Sequence, residues 1–179
     1  SLFWWLAASL QMILIIYCAD ELNLSSSETG YLLVTCAIGI TIGCLAGGAL
    51  DQKAEYMLGF VPLFGVITAI LCVMLFVCDF SVIPFAVAIG LITICGGIFK
   101  IPLDAEIQKR VDSSELNVVL AYFNLVSFIY IFAASATNIL ITTVLGLSSA
   151  YVFLALGIVF GLCSIIFIFN YKSVLCYFG

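Results

Sequence analysis

Histidine is absent from all 179 residues. The commonest general base and the commonest metal ligand are therefore missing. Charge is scarce as well. Asp, Glu, Lys and Arg together make up 8 % of the chain, against roughly 25 % in ordinary globular domains. So few charges cannot clothe a water-facing surface. Lys and Arg number only five, no basic tract occurs, and the net charge is −5. A nucleic-acid partner, which requires a positive footprint, is excluded. No P-loop offers an ATP site and no GxSxG offers an acyl-transfer nucleophile. The expectation is a protein that is not an enzyme, although a Tyr or Lys base stays open. No two of the eight cysteines form a CxxC pair, and most lie inside apolar runs. Such thiols act as small hydrophobes, so neither a disulfide framework, a metal site nor a cofactor is expected.

What the chain does have is apolar length. Hydrophobic residues make up 65 % of it, and mean hydropathy is +1.35. The natural solvent is a bilayer, whose core of about 30 Å is crossed by roughly 20 helical residues. The pattern predicts an all-α polytopic membrane protein with six spans, near 2–19, 30–50, 58–78, 82–101, 118–143 and 150–171. Ser25 or Ser26 suits the N-cap before the second span, with Glu28 in its first turn. Pro84 suits the first turn of the fourth, Pro62 falls near the start of the third, and Pro102 is expected to close the fourth. Beyond it, Leu103, Ile107 and Val111 recur at i, i+4 and i+8. That spacing predicts a short amphipathic helix on the membrane surface, with Asp112 or Ser113 capping the next span.

Sidedness follows from the basic residues. Lys53, Lys100, Lys109, Arg110 and Lys172 all fall on the face reached after an even number of spans. The positive-inside rule predicts both termini in the cytoplasm. The chain starts at Ser1 and runs straight into apolar sequence; the expectation is a piece of a longer protein, not a signal peptide, since five similar segments follow.

Gly39, Gly43 and Gly47 share one face of the second span, and Gly157 and Gly161 repeat the spacing in the sixth. Small residues at this interval admit another helix backbone. The face serves either plain packing or a seam that slides in a conformational cycle. Next comes Asp51-Gln52-Lys53-Ala54-Glu55, which is either a marker of topology or a gate whose Asp pairs with a basic group in one state only. Polar groups inside spans are costly. Gln11, Asn124, Ser127 and Tyr130 are candidates for a substrate pathway, Gln11 and Asn124 serving equally well as interhelical hydrogen-bond partners. Thr35, Thr41, Thr68 and Thr93 are expected to bond back to their own helices. Lys100, in the last turn of the fourth span beside Gly96 and Gly97, either snorkels to the interface or attracts a phosphate headgroup.

Several stretches carry a resemblance. Gly48, Leu50, Asp51 and Lys53 resemble the charged loop between the second and third spans of major facilitator superfamily transporters, with the basic position one residue late and the following glycine and second basic residue missing. GFVPLFG (Gly59 to Gly65) is similar to an element of the lysophospholipid transporter family. GGIFKIPLDAEIQ (Gly96 to Gln108) is similar to another, with Lys100 and Asp104 departing from that family's apolar residue and Asn. The resemblance implies the carboxy-terminal six-helix half of a twelve-helix secondary transporter of the bacterial inner membrane. Its partners would be the amino-terminal half, membrane lipid and a lysophospholipid substrate, moved by alternating access. Gly48, Asp51, Lys53 and Glu55 would form a gating loop, and the glycines of the second span would face the opposite half. Some members of that family continue into acyltransferase and acyl-carrier-protein ligase domains. The alternatives are a transporter of another small amphipathic solute and a non-transporting assembly subunit.

Overall fold

A computed structural model describes residues 2–51, 57–112 and 114–178, without the side chains of residues 51, 57, 58, 60 and 170–178. Lys53 and Glu55 lie outside the described residues, as does the side chain of Asp51.

The described residues form six helices in chain order: α1 (Leu2–Asp20), α2 (Ser26–Asp51), α3 (Met57–Val77), α4 (Val82–Arg110), α5 (Leu116–Ile139) and α6 (Ala150–Phe178). A π-helical turn, Leu140–Val144, prolongs α5. The protein is all-α and polytopic. Five helices are long and apolar enough to cross a membrane by length and composition, and the described apolar stretch of α3, Val61–Val77, is shorter.

Local chemistry explains the ends. Ser25 and Glu28 form a reciprocal capping box at the start of α2. Both the Ser25 N–H and hydroxyl donate to the Glu28 carboxylate, at 2.8 and 2.6 Å, and the Glu28 N–H points back at the Ser25 hydroxyl at 3.4 Å. Two otherwise orphaned backbone donors are thus satisfied. Between α5 and α6 the chain turns at Gly146, whose φ of +61° suits a residue without a Cβ. The four threonines bond back to carbonyls one turn earlier, at 2.8–3.0 Å.

Three expectations need correction. Pro102 does not close the fourth helix, and no separate amphipathic helix follows it. Instead α4 runs unbroken to Arg110 with Pro102 buried inside. A proline removes one backbone hydrogen bond. Here an ion pair from Lys100 to Asp104 spans it, and a second, Glu106 to Arg110, follows one turn on. Pairs at this spacing support a helix, and side-by-side helices tolerate proline where neighbours pack around it. Nor is Asp112 the N-cap of α5; Ser113, the other expected cap, lies outside the described residues. The N-cap is Glu115, without a side-chain bond. The Asp112 carbonyl accepts from the N–H groups of Glu115 and Leu116 at 2.9 and 3.0 Å.

The helices pack in a repeated plan. The main partners are α2 with α4, α1 with α5, α3 with α6 and α3 with α4, and α1 also meets α6. Advancing each helix by three places turns the α2–α4 contact into α5–α1 and the α3–α4 contact into α6–α1, and leaves α3–α6 unchanged. The match is partial, since α1 touches α6 far less than α3 touches α4, and α1 also meets α2 without a comparable α4–α5 contact. The stronger contacts follow the plan of two three-helix repeats, as found within each half of major facilitator transporters. The core lies along α1 and α4. At the end of the bundle where α1 finishes, Tyr17 stacks on Phe85 at 5.1 Å between ring centroids and meets Phe153 edge-on at 5.3 Å. Half of the apolar stretch of α1 and of α4 is buried, but only 22 % of α2 and 11 % of α5. The pairs α1 with α4 and α2 with α5, each related by the three-place shift, are thus respectively half-buried and mostly uncovered. On α5 the uncovered face carries Val118, Tyr122, Leu125, Phe128, Ile129 and Phe132.

Candidate substrate site

Among the described residues, two cavities adjoin the first turns of α1. The larger, about 270 Å³, lies between α1, α2 and α4. Phe3, Leu6, Leu10, Leu33, Ile40 and Ile92 make most of its wall. Gly96 contributes by what it lacks: a Cβ there would stand 3.3 Å from the Phe3 ring. Of the polar groups in the wall, the Thr93 hydroxyl already bonds to the Ile89 and Gly90 carbonyls, at 3.0 and 2.9 Å. The Gln11 amide, also in the wall, is exposed and offers both donors and an acceptor.

The smaller cavity, about 180 Å³, lies between α1, α4 and α5, and is lined by Trp4, Lys100, Asp104, Ile107, Gln108, Leu120, Phe123 and Asn124. Trp4 lines both cavities. The Lys100 ammonium sits over the rings of Phe3 and Trp4, 5.8 and 5.7 Å from their centroids, within the range of a cation–π contact. It also pairs with the Asp104 carboxylate. An apolar chamber thus borders a chamber holding one positive charge, one negative charge and two amides. The continuation of α4 past Pro102 creates this second chamber, because it places Asp104, Ile107 and Gln108 on the same helix as Lys100, one and two turns on.

Of the residues expected in a substrate pathway, Lys100 and Asn124 come together in the polar chamber and Gln11 lines the apolar one. Ser127 and Tyr130 line neither. Ser127 is buried with its hydroxyl bonded to the Phe123 carbonyl at 2.8 Å, and Tyr130 points outward. Trp4, Asp104 and Gln108 were missed. The signal for Asp104 was its place one turn beyond Lys100, hidden by the assumption that Pro102 breaks the helix.

Gly39, Gly43 and Gly47 of α2 do not face outward to an opposite half. They pack on α4, inside the bundle. A Cβ on Gly43 would run into the Ile94 carbonyl, and one on Gly39 into the Thr93 hydroxyl. One on Gly47 would stand 3.2 Å from the Ile98 Cα, and one on the facing Gly97 only 2.8 Å from the Cys44 nitrogen. Gly48 is looser, with only Ile101 at 4.0 Å. In α6, a Cβ on Gly157 would stand 2.8 Å from a Val73 methyl and 3.0 Å from the Ala69 carbonyl of α3, whereas one on Gly161 would make ordinary contact with Ala69 at 3.5 Å.

With the geometry in place, comparison with known proteins narrows the field. The chain is 31 % identical over 111 residues to the lysophospholipid transporter LplT of Shigella sonnei (strain Ss046). It is 31 % identical over 114 residues to the protein of the same name from Citrobacter koseri (strain ATCC BAA-895 / CDC 4225-83 / SGSC4696). Each match covers 62 % of this chain and 27 % of the relative. The chain therefore spans about a quarter of the length of the curated relatives it matches. No protein-family model and no solved structure matches it. The similarity is distant and partial, and is to proteins named as transporters.

Proposed function

We propose that the chain is one six-helix half of a secondary transporter that moves a single-chain amphiphile, most concretely a lysophospholipid, across or between the leaflets of the membrane by alternating access. The observation that carries this reading is the pair of adjoining cavities that share Trp4. A lysophospholipid has one acyl chain and one phosphate headgroup. The chamber walled by Leu6, Leu10 and Ile92 suits the chain, since each buried methylene contributes about 0.8 kcal/mol. The chamber holding Lys100 suits the phosphate. The two volumes together fall in the lower part of the roughly 300–1,000 Å³ range of small-molecule sites.

The partial match to LplT supports the same class of cargo. The three-place contact plan and the uncovered faces of α2 and α5 support a second six-helix half as partner, docking there with lipid covering the rest. In this reading no covalent chemistry is involved, the basic loops face the cytoplasm, and the membrane is a bacterial inner membrane. The residues of 51–55 would gate the cytoplasmic side.

The test uses the full-length transporter reconstituted in liposomes. Labelled lysophospholipid should cross faster than in protein-free liposomes. Lys100→Gln and Leu10→Gln should each slow the crossing while leaving insertion intact. No acceleration above protein-free liposomes would remove the transport reading in favour of an assembly subunit.

A further inference from the structure

Asp104 faces a site that should welcome phosphate. The pair with Lys100 helps to carry α4 through Pro102, but for binding an anion alone a carboxylate beside the cation that lines the chamber is a disadvantage. Yet Asp104 is paired with Lys100, and both line the polar chamber. Their side chains are only 22 % and 19 % exposed, so water screens them incompletely and an unpaired charge there is costly.

Consider what an arriving headgroup must do. Its phosphate takes the ammonium of Lys100. Asp104 then loses its partner and stands beside a second negative charge, which both desolvation and like-charge repulsion oppose. A headgroup of phosphate and glycerol leaves Asp104 in that position. A headgroup that brings its own cation does not, because its ammonium pairs with Asp104 as its phosphate pairs with Lys100. One internal ion pair is exchanged for two. The indole of Trp4 and the ring of Phe3, over which Lys100 now lies, give a further surface for a ligand cation. The Asn124 and Gln108 amides, in the same chamber, supply donors and acceptors to the ester and phosphate oxygens.

We propose that Lys100 and Asp104 together select a zwitterionic phospho-headgroup, one bearing an amine or quaternary ammonium, and that Asp104 is the residue that discriminates against purely anionic single-chain lipids. This rests on the reading of the chain as half of a transporter of single-chain lipids. The discrimination belongs to Asp104 because Lys100 serves both kinds of headgroup equally.

The experiment uses the full-length transporter in liposomes and three lipids with one identical acyl chain, bearing phosphoethanolamine, phosphocholine or phosphoglycerol. Initial rates are measured over a concentration series for each. The wild type should favour the two zwitterionic lipids over the phosphoglycerol lipid by about tenfold in kcat/KM, the ratio that corresponds to one partly screened charge contact. Asp104→Asn should shrink that preference to within about threefold, mainly by improving the anionic lipid, because the competing charge is gone. Asp104→Glu should retain the preference. Lys100→Gln should weaken all three lipids alike.

A wild type that carries all three equally well, or favours the anionic lipid, overturns the proposal without recourse to any variant, and leaves the transporter reading standing. So does an Asp104→Asn protein, inserted and active, whose preference equals that of the wild type. A wild type that moves none of the three lipids removes both the transporter reading and this one.

Discussion

Replacing Gly43 with alanine adds one methyl group, and the structure places that methyl against the carbonyl of Ile94. Two opposing effects follow. Within a helix, alanine is favoured over glycine by about 0.5–1 kcal/mol because it restricts the unfolded chain. Against this stands the clash. What the methyl meets is backbone, not the movable end of a side chain, so neither partner rotates out of the way. The Ile94 carbonyl carbon and Cα both stand 3.0 Å from the same position, and across the seam a Cβ on Gly97 would find Gly43 itself at 2.8–2.9 Å. The helices must therefore separate. Overpacking of this kind costs about 1–3 kcal/mol. A gap of roughly 0.5–1 Å along the seam also forfeits a quarter to a half of each contact's attraction. The clash wins, and Gly43→Ala should destabilise the protein by about 1–2 kcal/mol.

Controls come from other helical glycines of the same chain. A Cβ on Gly30 would meet nothing within 4 Å. Gly30→Ala should therefore stabilise by about 0.4–1 kcal/mol. Gly161→Ala, with Ala69 in ordinary contact at 3.5 Å, should be neutral to slightly stabilising. Thermal unfolding midpoints of the full-length protein in one detergent supply the comparison. The expected order places Gly30→Ala at or above the wild type and Gly43→Ala clearly below it. Gly43→Leu should lie lowest and lose transport. If Gly43→Ala melts at or above Gly30→Ala, the close approach of α2 to α4 is wrong.

Ser25→Ala removes one side of the capping box with Glu28 and should cost about 1 kcal/mol, read as a lowered unfolding midpoint with transport rate little changed; an unchanged midpoint would mean that the box does not form. Single cysteines introduced in a cysteine-free background at positions 24 and 53 should react with an impermeant maleimide from opposite sides of the membrane, position 53 from the cytoplasm only. Labelling of position 53 from outside would reverse the orientation drawn from the basic residues.

Much of the architecture was legible in residue order because a bilayer leaves little choice. Apolar runs long enough to cross must be helical, since every backbone donor and acceptor has to be satisfied within the segment. Ser25 and Glu28 marked the start of α2 for a similar reason: a capping box is built from residues three apart and needs no distant partner. The backbone bonds of Thr35, Thr41, Thr68 and Thr93 were equally local.

Contacts between distant segments were not legible in this way. The spacing of Gly39, Gly43 and Gly47 announced a close helix neighbour without naming it. Only the folded bundle shows that neighbour to be α4, with Gly97 set opposite to receive it. Pro102 misled for a related reason. Proline's local preference is to end a helix, but the Lys100–Asp104 pair and the packing around α4 hold the helix through it. Composition thus determined a six-helix apolar chain with its few charges at the ends. Tertiary structure decided that Trp4, Lys100, Asp104 and Asn124, from three helices and up to 120 positions apart, line one chamber, because the choice of neighbours depends on which surfaces fit, and no local pattern encodes that.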